Sequence, residues 1–181
     1  INQSILRRYN EFNFDKKKDN QILIDKSLEN FFNIETILKI FPKAKFIHTY
    51  RNPLDSIISI YQSMLAELSW THSINDIINY IDKYINIIDY YRRKYPDSIM
   101  DVDLKEFTNN SDKISKDIYK FCKLNWNKEV LEFYKRSDLH SKTLSFAQIR
   151  NKVSRYDKSK YEPYYKILEK YKNKFSWLNI K

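Results

Sequence analysis

The chain has 181 residues, with 33 Lys plus Arg against 23 Asp plus Glu for a formal charge of +10, one Cys and no Gly. That length suits one domain over residues 1–181, large enough to bury most of its core. Average usage would supply about 13 glycines, so their absence excludes every motif that needs glycine's backbone freedom, including the phosphate loop and the dinucleotide fingerprint.

In chain order, Asp15 to Asn20 is a polar, Lys-rich loop, and the apolar run Ile22-Leu23-Ile24 reads as a buried strand with Asp25-Lys26-Ser27 at its carboxyl end. Phe31, Ile34, Ile37, Leu38 and Phe41 recur at helical spacing up to Pro42, which predicts a helix from Asn30 to Phe41. Lys45 to Tyr50 is a second strand, and it passes directly into a helix: Asn52 suits the cap, Pro53 the first helical position and Asp55 the first turn. The stripe Leu54, Ile57, Ile58, Tyr61, Leu65 and Leu68 extends that helix over 53–68, with Asn52, Ser56, Ser59 and Ser63 on the opposite face. A long helix from Ser73 to Lys94, ended by Pro96, precedes a third strand from Ser98 to Leu104. Short helical patterns follow at Ile114 to Cys122 and Glu129 to Tyr134, then a polar stretch from Ser137 to Asp157 and a Tyr- and Lys-rich helix from Tyr161 to Trp177. Alternating strands and helices predict an α/β fold, a parallel sheet with flanking helices.

A hydrophobic content of 42%, with 15 Tyr, 11 Phe and 3 Trp, excludes a disordered chain. The lone Cys122 cannot form an internal disulfide, and no Cys/His cluster has metal-ligand spacing, so neither an oxidising compartment nor a metal is expected. No apolar run reaches the roughly 20 residues of a membrane span. Ile1 is neither an initiator Met nor the start of a signal segment, which reads as a piece of a longer chain of cytoplasmic location. The positive charge favours an anionic partner: nucleic acid, anionic lipid or a phosphorylated ligand.

In open parallel sheets such ligands bind beyond the carboxyl ends of the strands, where helix amino termini attract anions. Lys26 and Arg51 hold those positions, each just before a helix. Arg grips phosphate with a planar fork, whereas Lys is a mobile point charge suited to charge that develops during reaction. The plainer reading of either is a surface cation paired with Asp25 or Asp55. His48 reads as a packed histidine inside an apolar strand, and His72 and His140 have no evident partner.

The ordered set of Asp25-Lys26 before a helix, Phe-Pro-x-Ala-Lys into a strand, Arg-x-Pro-x-Asp with Ser eight residues after the Arg, the Val-Asp strand near 102, FCKLNW at 121–126 and SFAQIRNKVS followed by SKYEP resembles a family. It is similar to the sulfotransferases that use 3′-phosphoadenosine 5′-phosphosulfate, above all the tyrosylprotein-type and related bacterial enzymes. The resemblance implies the P-loop NTPase-like sulfotransferase fold. It also implies transfer of a sulfuryl group to an acceptor hydroxyl (peptide tyrosine, sugar or small alcohol), with adenosine 3′,5′-bisphosphate as product. Carried onto this sequence, it implies that Arg51 and Ser59 bind the donor's 3′-phosphate. Lys26 and Ser145 would stabilise the transition state, and Ser145, Gln148, Arg150, Lys152, Ser154 and Lys160 would line the nucleotide. Leu104 stands where relatives commonly have a nucleotide-contacting Tyr, and Asn52 where Asp is usual. The family's amino-terminal strand, its glycine-bearing 5′-phosphosulfate loop and its glutamate base have no counterpart here, so the chain is expected to be the carboxyl-terminal, 3′-phosphate half of a longer enzyme. A basic nucleic-acid-binding module and a non-catalytic nucleotide-binding remnant are the other readings; the family reading involves no nucleic acid.

Overall fold

Two parallel strands organise the residues that the computed structural model describes, 22–138 and 148–178. The chain enters through a 3-10 turn, Leu28–Asn33, and helix α1, Ile34–Ile40. Strand β1, Phe46–Tyr50, pairs in parallel with β2, Ile99–Asp103, in a register that sets His48 against Asp101 and Tyr50 against Asp103. Parallel neighbours need a crossover. Helix α2, Pro53–Ser63, the 3-10 turn Ser69–His72 and helix α3, Ile74–Lys94, supply it. After β2 come α4, Leu104–Asn109, and α5, Ser111–Phe121, then 3-10 segments at Lys128–Lys135, Gln148–Arg150, Lys158–Lys160 and Glu162–Tyr171.

Local chemistry explains the helix boundaries. Asn52 Oδ1 accepts the Leu54 N–H at 2.9 Å with Pro53 in the first turn, so β1 turns into α2 as expected. The Ser73 hydroxyl caps α3 by accepting the Asp76 N–H, and Arg92, Arg93 and Lys94 sit at its carboxyl end, where the helix dipole favours cations. Asp103 Oδ1 accepts the Glu106 N–H at 2.9 Å, starting α4, a helix absent from the periodicity reading.

Three expectations are corrected. Ile22-Leu23-Ile24 is not a strand: Ile22 and Ile24 are 64% and 84% exposed, and among the described residues β1 and β2 pair only with each other. A strand without a partner has no ladder to fix it. Helix α2 stops at Ser63 instead of residue 68, because Met64 takes a left-handed φ of 42° and the buried Thr71 hydroxyl claims the Leu68 and Leu65 carbonyls at 2.7 and 3.3 Å. The carboxyl-terminal Tyr- and Lys-rich stretch is a 3-10 segment, anchored by the sequence-spaced Tyr161, Tyr165 and Leu168 against α2 and α3. Asp15 to Asn20 lies outside the described residues.

The main core joins Leu54, Ile57 and Ile58 of α2 to Ile77, Ile78 and Ile81 of α3, closed by Tyr161, Leu168 and Leu178. A smaller cluster of Ile34, Ile88 and Ile99 lies between α1, α3 and β2. Full burial of one such aliphatic side chain contributes about 1.5–3 kcal/mol, so the 161–178 arm is part of the folded unit. No described helix is long and apolar enough to cross a membrane. Leu168→Ala removes a fully buried side chain and is expected to cost about 2–5 kcal/mol in urea unfolding; a loss under about 1 kcal/mol would detach the arm from the core.

Candidate functional site

At the carboxyl ends of β1 and β2 a cleft of about 430 Å³ opens beside the first turn of α2. Tyr50 at the end of β1 and the following Arg51 and Asn52 line it, with Tyr84, Ile88 and Arg92 from α3, Asp103 at the end of β2 and Lys105 in α4. Tyr156 and Lys158 approach from the carboxyl-terminal arm. This is where a parallel sheet offers loops and a helix amino terminus to an anion.

The arm is held there by one carboxylate. Asp55, fully buried in the first turn of α2, accepts the hydroxyl of Tyr156 on Oδ2 and that of Tyr165 on Oδ1. Burial first, then the bond to Asp55 and its charge, push both phenols above their ordinary value of 10.0. Asn52 Nδ2 reaches the Tyr165 hydroxyl at 3.4 Å.

The same docking brings Tyr161 onto Arg51. Arg51 Nη1 donates to the Tyr161 hydroxyl at 3.1 Å, the guanidinium carbon stands 5.0 Å from the ring centroid, and Nε donates to Ser56 Oγ at 3.3 Å. Ser59, one turn beyond Ser56 on α2, lies close enough to the Tyr161 hydroxyl to favour the ionised phenol. Burial pushes this phenol up, but the Arg51 charge, the nearby Ser59 hydroxyl and the bond from Arg51 outweigh it, and the net shift is below the ordinary value. The described hydrogen bonds of Arg51 thus go to neutral hydroxyls, and its charge stays uncompensated by any of them.

A second polar group backs the cleft. His48 Nδ1 lies 2.6 Å from Asp101 Oδ1, and His48 Nε2 meets the Tyr84 hydroxyl. Arg92 pairs with Asp89 at 3.1 Å and approaches Asp101 Oδ2 with Nε at 2.8 Å, out of line for a hydrogen bond, so that contact is one of charge. Burial holds the His48 imidazole below its ordinary value against the pull of Asp101, and burial pushes the Tyr84 phenol up to about 12.

The other sequence-derived candidates scatter more widely. Lys26 is exposed on the irregular entry segment and does not line the cleft. Arg150 Nη1 donates to the Arg136 carbonyl at 2.8 Å, and Lys152 Nζ stands over the Tyr134 ring. Ser154 is exposed, and Lys160 is exposed over the Tyr161 ring, 5.5 Å from its centroid. Gln148 opens a short 3-10 turn with Arg150, and Ser145 lies outside the described residues. Leu104 opens α4 next to the cleft residues Asp103 and Lys105.

The model of the sulfotransferase family matches residues 1–128. The chain belongs to the sulfotransferase family. A further relative is an uncharacterized protein of Aquifex aeolicus (strain VF5), 31% identical over 150 residues; these cover 81% of this chain and 20% of that protein, so the chain spans about one fifth of that relative's length. Lys26, Arg51 and Ser59 of this sulfotransferase-family chain fall inside the matched span, and the arm from Gln148 onward falls beyond it. The small parallel sheet with flanking helices is compatible with the family's fold.

Sequence reasoning did not single out Tyr156, Tyr161 and Tyr165, nor Asp55 as the acceptor of Tyr156 and Tyr165. The signal was available as three tyrosines at spacings of five and four facing a motif with an aspartate in a helix's first turn. His48 was read as packed and is mostly buried, yet its two nitrogens are both engaged. Asp55→Asn leaves one phenol facing an amide N–H, so it is expected to cost about 1–3 kcal/mol in urea unfolding at neutral pH. Because both phenols titrate higher folded than unfolded, their contribution is fully present below pH about 10 and is lost as pH rises through the folded values. A stability curve flat from pH 9 to 11 would contradict that latch.

Proposed function

We propose that this chain binds the nucleotide of 3′-phosphoadenosine 5′-phosphosulfate and serves transfer of its sulfuryl group to an acceptor hydroxyl, the peptide tyrosine, sugar or small alcohol class. The observation that carries the reading is that Arg51 donates to the Tyr161 hydroxyl while Ser59 acts on the same phenol. Two donor side chains beside one phenol form a cradle for a phosphate oxygen, which takes the place of the phenol oxygen. The Arg51 charge, spent on neutral hydroxyls alone, is regained by an anion.

The neighbouring cleft of about 430 Å³ suits the nucleoside, with Tyr50, Tyr84 and Tyr156 as apolar and aromatic walls. Lys105 and Lys158 add positive charge at its edge. Chemically, the acceptor oxygen bonds to sulfur as the bond from sulfur to the 5′-phosphate breaks, and the acceptor proton passes to a base. Lys26 is the residue of this chain assigned to the charge developing on the leaving phosphate, a role that requires its entry segment to close on the donor. Ser145 is assigned to assist it, and Gln148, Arg150, Lys152, Ser154 and Lys160 to the nucleotide's flank. The fold under this reading is the P-loop NTPase-like one.

Calorimetric titration with adenosine 3′,5′-bisphosphate tests this. Arg51→Ala is expected to weaken binding by roughly 2 to 4 kcal/mol, since it removes a charged contact to the phosphate, whereas adenosine 5′-monophosphate should bind both forms alike. Equal bisphosphate affinity for wild type and variant would remove Arg51 from the site. Salt-sensitive binding of single-stranded oligonucleotides with indifference to the bisphosphate would instead favour a nucleic-acid-binding module.

A further inference from the structure

The polar group behind the cleft wall is not used by the phosphate cradle, and the direction of its hydrogen bonds is set by the close Asp101 contact at 2.6 Å rather than by the distant Arg92 donor at 3.5 Å. His48 and Asp101 face each other across the β1–β2 pair, and the His48 side chain is 10% exposed. An ionised carboxylate can only accept, so Asp101 requires the proton on His48 Nδ1, 2.6 Å away. A neutral imidazole then has a bare Nε2. Burial and the Arg92 guanidinium, with Nη2 3.5 Å from Nδ1, both favour that neutral form. The Tyr84 hydroxyl, bonded to Nε2, must therefore spend its single proton there.

What remains on the Tyr84 oxygen is lone pairs, and Tyr84 is a wall residue of the cleft. A phenol normally rotates its proton to suit either partner; this one is pinned. We propose that Tyr84 is a specificity-determining residue of the cleft, a hydrogen-bond acceptor of fixed polarity that selects a ligand presenting an amino or hydroxyl donor at that wall. Asp101 and His48 act through it as positioning residues. The inference rests on the nucleotide reading of the cleft and adds to it the chemistry of the recognised group, which a nucleotide can supply from the purine amino group or the ribose 2′-hydroxyl.

The direction of that bond depends on His48 alone. Its charge neighbours are Asp101 from β2, Arg92, Asp89 and Tyr84 from α3, and the stacked Tyr50 ring from β1, 5.6 Å away between centroids. Protonation makes Nε2 a donor, so the Tyr84 oxygen accepts from it and the phenol proton is freed from that bond. Burial places this change below the ordinary imidazole value of 6.5.

The test compares three probes on the same chain: adenosine 3′,5′-bisphosphate, inosine 3′,5′-bisphosphate, which replaces the amino group by a carbonyl, and 2′-deoxyadenosine 3′,5′-bisphosphate. Wild type is expected to bind the first about tenfold more tightly than the analogue lacking the donor that meets Tyr84, and Tyr84→Phe, checked for an unchanged melting profile, is expected to erase that ratio. In wild type the ratio is expected to shrink as pH falls below 6.5; all three probes carry the same phosphates, so phosphate ionisation cancels. Equal wild-type affinity for all three, a ratio that survives in Tyr84→Phe, or one indifferent to pH would overturn the assignment. If wild type binds none of the bisphosphates better than adenosine 5′-monophosphate, the nucleotide reading itself fails, and the role of Tyr84 with it.

Discussion

A buried carboxylate holds the architecture of the cleft together. Asp55 sits in the first turn of α2 with no exposure to water, and both its oxygens are occupied by phenols from a segment about one hundred residues further along the chain. A charge so placed would be costly if unpartnered. Two hydroxyl donors and the amino-terminal end of the helix, whose dipole favours a negative group, offset that cost. The requirement works in the other direction as well: because the carboxylate needs both donors, Tyr156 and Tyr165 must dock together, and the residues between them must lie across the start of α2. That places Tyr161 on Arg51 and Ser59.

The two arginines of the cleft illustrate how the neighbourhood of a cation decides its use. Arg92 is neutralised by Asp89 and Asp101 and serves as scaffold. Arg51 faces two hydroxyls and a ring. In a partly dry cleft the second arrangement leaves far more electrostatic attraction for an incoming anion than the first. The overall excess of positive charge matters less than this difference, since exposed lysines are screened within about 8 Å at physiological salt.

Much of this was legible in the residues themselves. The passage from β1 into α2 could be read because a short polar side chain, a proline and an acid stand at successive positions whose roles at a helix start are local and few. The length of α3 followed from its apolar stripe and Pro96. The Arg51 and Ser59 pairing came from the family resemblance, with which a strand end and a polar helix face two turns apart are consistent. The rest was set by contacts remote in sequence. Whether Ile22-Leu23-Ile24 forms a strand depends on a neighbour, which three residues cannot announce. The early stop of α2 depends on Thr71 competing for carbonyls, and the 3-10 form of the last segment on tyrosines whose partners lie near residue 55. The roles of Tyr84 and His48 required the β1–β2 register, since only that register puts Asp101 beside the imidazole.

Met64 and Lys123 take positive φ values of 42° and 57° in a chain that contains no glycine at all. Each side chain there crowds the following carbonyl, a conformational cost of about 1–2 kcal/mol per residue that a missing Cβ would relieve. Both turns close helices, α2 after Ser63 and α5 after Phe121, so the fold keeps two stressed corners where a glycine would relax them. The fold therefore carries a chain without glycine by drawing on core packing elsewhere, and an exchange to glycine at either corner would relieve that cost.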